Sequence, residues 1–469
     1  MAECYSADYD GREPTGKGAA MKVLIVYTNT LKMLAAAPLG AALVADRLRR
    51  DGHTVRLLDL MFARSATATA ARVAREFAPD LVGFSLRNVD NQSPTDPHDP
   101  LPITRAIVAA VQKAAPRAVT LLGGTAFTTF PGRYLGELGA DYGLAGDDLA
   151  PVSRFVSSLA AGVPDLSTAG LVYWGEDGRV RQNPYAIAGY AQTAFTCWDL
   201  IDYRPYRRAF ASFADAAVVT RTGCPFGCIF CDTYRTFGRR WVLRDPRQIA
   251  EEAVALRRRH GVRLLYLADA GFNRPLDHAK AVLEALIAAR PGVTLDSVFE
   301  PGEVDREFVD LYRRAGGQSV MLFAGSLADP VLAACHKPFH VADVLTGAGL
   351  LARGGVAITL ALQAGLPGET PATLEETFAR SERISSVYTW LDRGLRILPE
   401  TPLRDLAVAE GLLDPAEDCF RSTFYHSPAT SPTWLNERMQ AYRRAHRDWS
   451  WQATAAIASY LRGKATAWL

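Results

Sequence analysis

Cys224, Cys228 and Cys231 fall within eight residues, in the run Arg221-Thr222-Gly223-Cys224-Pro225-Phe226-Gly227-Cys228-Ile229-Phe230-Cys231. The spacing is C-x3-C-x2-C, with the aromatic Phe230 just before the last cysteine. Four thiolates close a [4Fe–4S] cluster. Three leave one iron open to a substrate or cofactor, as a cluster that reacts requires. Zinc is the other chemistry of clustered cysteines, but a structural zinc site wants four protein ligands, and the nearest histidine, His260, lies about 29 residues on. Cys197 is the remaining candidate ligand, and its neighbour Trp198 makes it a packing residue. The chain's seven cysteines, an odd number, argue against a disulfide framework and fit a cytosolic metal site. The spacing, on a loop after a strand, favours the cluster over zinc.

That loop needs a scaffold. From 216 to about 398 the chain alternates strand candidates at 217–220, 264–267, 294–298, 319–323, 357–362 and 394–397 with helical segments such as 246–259 and 371–384. Six βα units predict a partial, open (β/α)6 barrel rather than a closed eightfold one. Upstream, residues 21–163 alternate β-branched runs at 22–27, 55–58, 81–85, 119–122 and 142–145 with apolar-periodic stretches such as 40–51 and 103–114. Gly52 and Gly139 stand where helices end. This α/β pattern predicts a doubly wound parallel sheet of flavodoxin-like, Rossmann type. Residues 164–215 read as a connector with a small hairpin at 170–174 and 178–180. Residues 399–469 read as a helical lid or cap carrying Trp434, Trp449, Trp451 and Tyr460. Residues 1–20 are polar and glycine-rich, lack the apolar core of a signal peptide, and are expected to be a mobile extension.

Composition narrows the partners. At 49% hydrophobic and 22% charged the chain is ordinary globular protein, and it has no run of roughly 18 apolar residues, so no membrane span is expected. The net charge of +2 is dispersed, and Arg239-Arg240 and Arg257-Arg258-Arg259 read as solvated helix faces, not a nucleic-acid patch. A cytoplasmic protein acting on a small molecule is the expectation.

The cysteine run resembles the radical S-adenosylmethionine (SAM) superfamily, and the likeness covers about 216–413. In that family SAM chelates the open iron, and its reductive cleavage gives a 5′-deoxyadenosyl radical, so the resemblance implies a [4Fe–4S] cluster, SAM and a flavodoxin- or ferredoxin-type electron donor. Phe230 adjoins the cluster motif. Tyr266-Leu267-Ala268-Asp269-Ala270-Gly271-Phe272-Asn273 resembles the stretch near the SAM amino group, which puts Asp269 and Asn273 among the SAM contacts. Many relatives carry a carboxylate or serine where Ala270 and Gly271 stand. Phe323-Ala324-Gly325-Ser326 resembles the segment near the ribose but lacks its usual acidic residue, leaving Ser326. Gly365-Leu366-Pro367-Gly368-Glu369-Thr370 resembles a Gly–Pro–Gly–Glu–Thr element, implicating Gly365 and Glu369; read locally, it is a βα turn whose Glu369-Thr370 caps the next helix, and both readings can hold. Arg396, in Arg396-Ile397-Leu398-Pro399-Glu400-Thr401-Pro402-Leu403, completes the set.

Ligands of open α/β sheets sit at the carboxyl ends of strands. Three such ends carry Phe84-Ser85-Leu86-Arg87-Asn88, Gly123-Gly124-Thr125 and Gly146-Asp147-Asp148. Taken alone, glycine after a strand is commonplace. Placed before a radical SAM core, the order resembles cobalamin-binding domains, with Ser85, Leu86, Arg87, Gly123, Gly124, Thr125 and Gly146 around the cofactor and Pro38, of Pro38-Leu39-Gly40, at the first helix. The first loop, Thr28-Asn29-Thr30-Leu31-Lys32-Met33, lacks the Asp-x-His-x-x-Gly pattern that brings histidine to cobalt, and all eight histidines lie elsewhere.

Together the resemblances imply a cobalamin-dependent radical SAM methyltransferase that moves a methyl group from methylcobalamin to a carbon of a small molecule. The nearest likeness is to enzymes tailoring antibiotics, such as those methylating a pyrrole. Ring formation or oxidation with the same cofactors is the alternative, as is a B12 domain kept only as a scaffold. Tyr388, Trp390 and Tyr425 are candidates for the substrate pocket, though such aromatics are more often core. Cys335 and Cys419 are expected to be packing residues, and Pro338 spoils a zinc-helix reading of His336 and His340.

Overall fold

The computed structural model describes residues 20–32, 35–95, 97–185, 187–190, 195–208, 214–446 and the backbone of 449–450. The expectations for residues 1–19, Met33, Trp451 and Tyr460 fall outside the described residues.

Strands β1 (Lys22–Tyr27), β2 (Thr54–Asp59), β3 (Leu81–Ser85), β4 (Val119–Gly123) and β5 (Tyr142–Leu144) form a parallel sheet in the order β2-β1-β3-β4-β5. Val23 to Tyr27 are all buried, because helices cover both faces of a parallel sheet. The helix Pro131–Leu138 ends on Gly139 at φ +59°, the left-handed position that glycine tolerates. Two further strands, β6 (Leu171–Trp174) and β7 (Val180–Gln182), add antiparallel beyond β5. The stretch expected as connector therefore completes a seven-stranded sheet, covering the open edge of a short β5.

The second sheet is β8 (Ala216–Val218), β9 (Leu264–Leu267), β10 (Thr294–Phe299), β11 (Ser319–Gly325), β12 (Ala357–Ala364) and β13 (Tyr388–Arg393), all parallel and neighbouring in chain order. That is the open six-unit barrel. Its sixth strand corrects the sequence reading: it is Tyr388–Arg393, not 394–397. Gly394, at φ +67°, breaks the strand, and Leu395–Arg396 turns away to pair antiparallel with Phe424–Tyr425. The aromatic and β-branched run at 388–391 thus spends its β-propensity on the sheet. The C-terminal region holds the helices Pro402–Ala409 and Pro432–Ala445, and also β14 (Trp449–Ser450), which pairs parallel with β13. Among the described residues, no helix is long and apolar enough to cross a membrane.

The two sheets share packing. Ala42 and Leu43, on the helix Leu39–Arg50 of the first sheet, belong to the same buried cluster as Cys197, Trp198 and the barrel core. A polar joint lies elsewhere in the seam. Arg396 is buried, with Nε donating to Asp90 Oδ2 at 2.6 Å and Nη2 to Cys419 O at 2.8 Å. Its Nη1 donates to Ile397 O, and Ser422 Oγ donates to the same Asp90 oxygen at 2.8 Å. Removing one member of a buried pair strands the other charge. Arg396→Ala is expected to lower unfolding free energy by about 3–5 kcal/mol. Arg72→Ala, which breaks the exposed Arg72–Glu76 pair, should cost less than about 1 kcal/mol. Denaturant titration of both variants checks the contrast.

Candidate active site

The carboxyl ends of the two sheets open onto one cavity of about 760 Å³. On the first sheet, Ser85 closes β3 and Gly123 closes β4, and Leu86 N donates to Gly123 O at 2.8 Å, tying their loops together. Gly124 sits at φ +98°, where a Cβ would lie 2.4 Å from Leu86 O, so only glycine lets the loops close. Thr125 Oγ1 donates to the carbonyl of Arg87. Pro38, Ser85, Leu86, Arg87, Gly123, Gly124, Thr125 and Gly146 all line the cavity, as does Asp147. Burial pushes the Asp147 carboxyl up to about 6, and Oδ1 accepts from Ala188 N at 3.2 Å. No histidine is among the described residues lining this cavity. His53 is away from it, with Nδ1 accepting from Met21 N at 3.2 Å. The opposite wall comes from the barrel: Ala216, Ala217, Tyr266, Ala268 and Trp390.

The cysteine loop is braced on every side. Arg221 is buried, and burial pulls its pKa down; its Nη1 donates to Gly223 O at 2.8 Å and its Nη2 to Ala270 O and Gly271 O at 2.8 and 2.7 Å. Cys224 N donates to Gly238 O at 3.0 Å, Ile229 N to Cys335 O at 3.3 Å, and Leu403 N to Ile229 O at 2.9 Å. Cys335 and Cys419 are buried in the cluster that includes Ile229 and Leu403, as expected for packing residues. The three candidate ligands are half-buried, and burial pushes the Cys228 thiol up to about 11. A cationic iron centre is the partner that would hold such thiols as thiolates. Among the described residues, no three histidine, cysteine or carboxylate groups converge on a single-ion site. A cubane asks for less convergence, since each thiolate binds a different iron.

The expected SAM contacts divide in two. Four are spent on bracing. Asp269 Oδ1 accepts from Thr220 N at 2.9 Å and Arg221 N at 3.3 Å, and Oδ2 from the Thr220 hydroxyl. The Asn273 amide donates to Glu300 O and Gly302 O and accepts from Glu300 N. Arg396 is the seam residue already described. Glu369 Oε1 accepts from Gly365 N at 2.6 Å, beneath the Gly365 turn, while Thr370 Oγ1 caps the next helix by accepting from Thr373 N. Phe230 and Ser326 border a small recess with Phe323, Lys337 and Gln363, and the Ser326 hydroxyl is itself engaged, hydrogen-bonded with Thr377 Oγ1 at 3.0 Å and accepting from Ala328 N at 3.2 Å. Of the three aromatic candidates, Trp390 reaches the large cavity. Tyr388 shares its strand face but lies at the far end, and Tyr425 is buried, donating to Glu410 Oε2 at 2.8 Å. Sequence reading did not single out Glu300, directly after β10, or Lys337, in the wall of the small recess.

Two outcomes follow. Gly223 sits at φ +79°, with a Cβ position 1.9 Å from Arg240 O, whereas nothing lies within 4 Å of Gly227. Gly223→Ala is therefore expected to lower iron and sulfide content after reconstitution, and Gly227→Ala to keep both. The second concerns Glu369, whose carboxyl burial pushes from 4.5 up to about 8. Between those values the folded chain keeps a proton that the unfolded chain has released, so stability falls as pH rises through the window. Glu369→Gln keeps an oxygen for Gly365 N–H but cannot ionise, and should flatten melting temperature between about pH 5 and 8.

Comparison with known proteins bears on this geometry. Residues 34–155 match the B12 binding domain model and residues 218–380 the radical SAM superfamily model. The chain is 22% identical over 428 residues to tryptophan 2-C-methyltransferase of Streptomyces laurentii, covering 77% of this chain and 70% of that one. It is 26% identical over 292 residues to the anaerobic magnesium-protoporphyrin IX monomethyl ester cyclase of Synechocystis sp., covering 61% of this chain and 56% of the cyclase. The structure of the radical SAM methyltransferase TsrM from Kitasatospora setae, with tryptophan and a SAM analogue, superposes with a TM-score of 0.81 at 22% identity, covering 92% and 91% of the two chains. With a B12 binding domain model and a radical SAM superfamily model matched in that order along the chain, the chain belongs to the cobalamin-dependent radical SAM enzymes, a family whose cofactors are a [4Fe–4S] cluster, SAM and cobalamin.

Proposed function

We propose that the chain is a C-methyltransferase acting on a small molecule held between its two sheets. One observation carries this reading: the loops fitted to cobalamin and the carboxyl ends of the barrel strands line the same cavity. A substrate there would lie between the cobalamin loops and the barrel. When bound, the cluster and SAM supply a carbon-centred radical, and the corrin supplies the methyl group.

The chain's own residues provide position. Cys224, Cys228 and Cys231 hold the cluster, with Arg221 and Asp269 fixing the strand that leads into them. Ser85, Gly123, Gly124 and Thr125 would hold cobalamin, the serine through its hydroxyl and the glycines by letting backbone come close. No histidine is among the described residues lining the cavity, and Arg87, two residues past the end of β3, lines it and makes no ion pair among the described residues. Tyr266 and Trp390 make an aromatic wall suited to a flat apolar substrate, such as an aromatic or pyrrole-containing natural product. A flavodoxin- or ferredoxin-type protein supplies the electron.

Oxidative ring closure is the rival reading, favoured by the match to the Synechocystis cyclase. Reconstitution with iron, sulfide and hydroxocobalamin, followed by reaction with methyl-labelled SAM, separates the two. Methyl transfer predicts 5′-deoxyadenosine, S-adenosylhomocysteine and labelled product together. Deoxyadenosine alone points to ring closure, and a protein without corrin absorbance to a B12 domain that is only a scaffold. Cys228→Ala should lose iron and deoxyadenosine formation yet keep corrin absorbance. Loss of the corrin as well would contradict independent cofactor loops.

A further inference from the structure

The arginine pair Arg239-Arg240 is solvated, as its sequence suggests, but it does not stand on a helix face. The short helix Thr233–Phe237 stops before Gly238, and the chain then packs against the cysteine loop. Gly238 O accepts from Cys224 N at 3.0 Å, Arg240 O lies against Gly223, and Val242–Leu243 pairs antiparallel with Arg221–Thr222. The segment has two sides. Thr236 and Phe237 line the large cavity, whereas Arg239 and Arg240 border neither that cavity nor the small recess and are exposed.

Apolar surface adjoins the pair. Pro225 and Gly227, in the loop between Cys224 and Cys228, are exposed, and Leu243 is 41% exposed. Phe226 of the loop and Trp241 of the segment, both half-buried, meet edge to face with ring centres 5.9 Å apart. The Arg239 guanidinium stacks over the Tyr234 ring at 3.9 Å. Exposed apolar and aromatic groups beside arginine are the composition of protein contact surfaces.

The charge is of one sign. Residues 233–244 hold four arginines and no acidic residue. Two are committed, Arg235 to Glu400 at 3.0 Å and Arg244 to the buried Glu252. Arg239 and Arg240 make no ion pair among the described residues. Uncompensated surface arginines complement an acidic partner and steer its approach.

The loop they flank says which partner. Phe226 lies between two of the three expected cluster ligands and Trp241 touches it, so a protein seated on these rings lies against the cluster loop itself. We propose that Arg239, Arg240, Trp241 and Leu243, with the loop tip at 225–227, form the docking surface for an acidic one-electron carrier protein. This rests on the function proposed above, in which the cluster is reduced from outside. One electron leaves the reduced carrier and enters the cluster, and no bond forms or breaks.

The test measures binding of an acidic flavodoxin and, separately, of an acidic plant-type ferredoxin to reconstituted protein at low and high salt. Binding of either by wild type is expected, and the two arms tell which carrier the surface fits. Arg239→Glu/Arg240→Glu should weaken that binding by about tenfold or more at low salt, with a difference that shrinks as salt screens it. The same charge change at the exposed end of the helix Pro246–His260, Arg258→Glu/Arg259→Glu, should leave binding unchanged. With dithionite as reductant, 5′-deoxyadenosine formation, iron content and corrin absorbance of both variants should match wild type. In wild type the bound carrier should protect Arg239 and Arg240 from phenylglyoxal, read by mass spectrometry, and that comparison stands even where a variant fails to fold. Equal losses in the two variants, normal binding by Arg239→Glu/Arg240→Glu, or a wild type that binds neither carrier overturns the surface. So does protection of both arginines by a second copy of this chain without carrier. Labelled product is read with dithionite, so failed methyl transfer with the expected binding pattern would sink the proposed reaction and leave the docking surface.

Discussion

The buried pair between Asp90 and Arg396 sets the relation between the two halves of the molecule. Each nitrogen of the guanidinium donates, to the Asp90 carboxylate on one side and to carbonyls of Ile397, Cys419 and Phe420 on the other. Asp90 lies a few residues beyond Ser85, in the segment that lines the cavity. The segment that leaves the last barrel strand after Gly394 and the cobalamin-side loop are thus referred to a single fixed point. A chemistry that hands a group between cofactors on different domains depends on that register, because small misplacements of reacting groups are costly.

The same principle operates within the barrel. The cysteine loop has little regular structure of its own, so its shape is imposed by partners: Arg221 from the strand before it, Gly238 after it, Cys335 and Leu403 from far along the chain. Asp269 fixes the backbone at Thr220 and Arg221, just before the loop. The carboxylate is fully committed there, and burial pushes its pKa up while Arg221 pulls it down. Such a network rigidifies a site only when every member is satisfied. Here every polar side-chain atom of Asp269, Asn273 and Arg221 is engaged, whereas Oε2 of Glu300 and Oε2 of Glu369 are buried without a hydrogen-bond partner among the described residues.

A division of labour results. Residues that the family resemblance places against SAM, namely Asp269, Asn273 and Arg396, spend their hydrogen bonds on the protein. What those residues fix is backbone at the strand ends, and that backbone in turn sets the shape of the cysteine loop.

Much of this molecule is legible along the chain. Strand and helix alternation, the break at Gly139, the helix cap at Thr370 and the cysteine spacing are all local, since each depends on residues a few positions apart. Periodicity of burial and backbone geometry act over that range, and so the sequence by itself determined two parallel sheets, their order and a cluster loop. It placed the sixth strand too late because an aromatic run suits either a sheet or a pocket, and Gly394 decides between them only once its backbone angle is known. Which polar groups are free for chemistry was settled by tertiary structure alone. Asn273 finds Glu300 27 residues on, and Arg396 finds Asp90 across 306. A side chain's availability depends on partners that the fold delivers from such distances, and no local pattern records them.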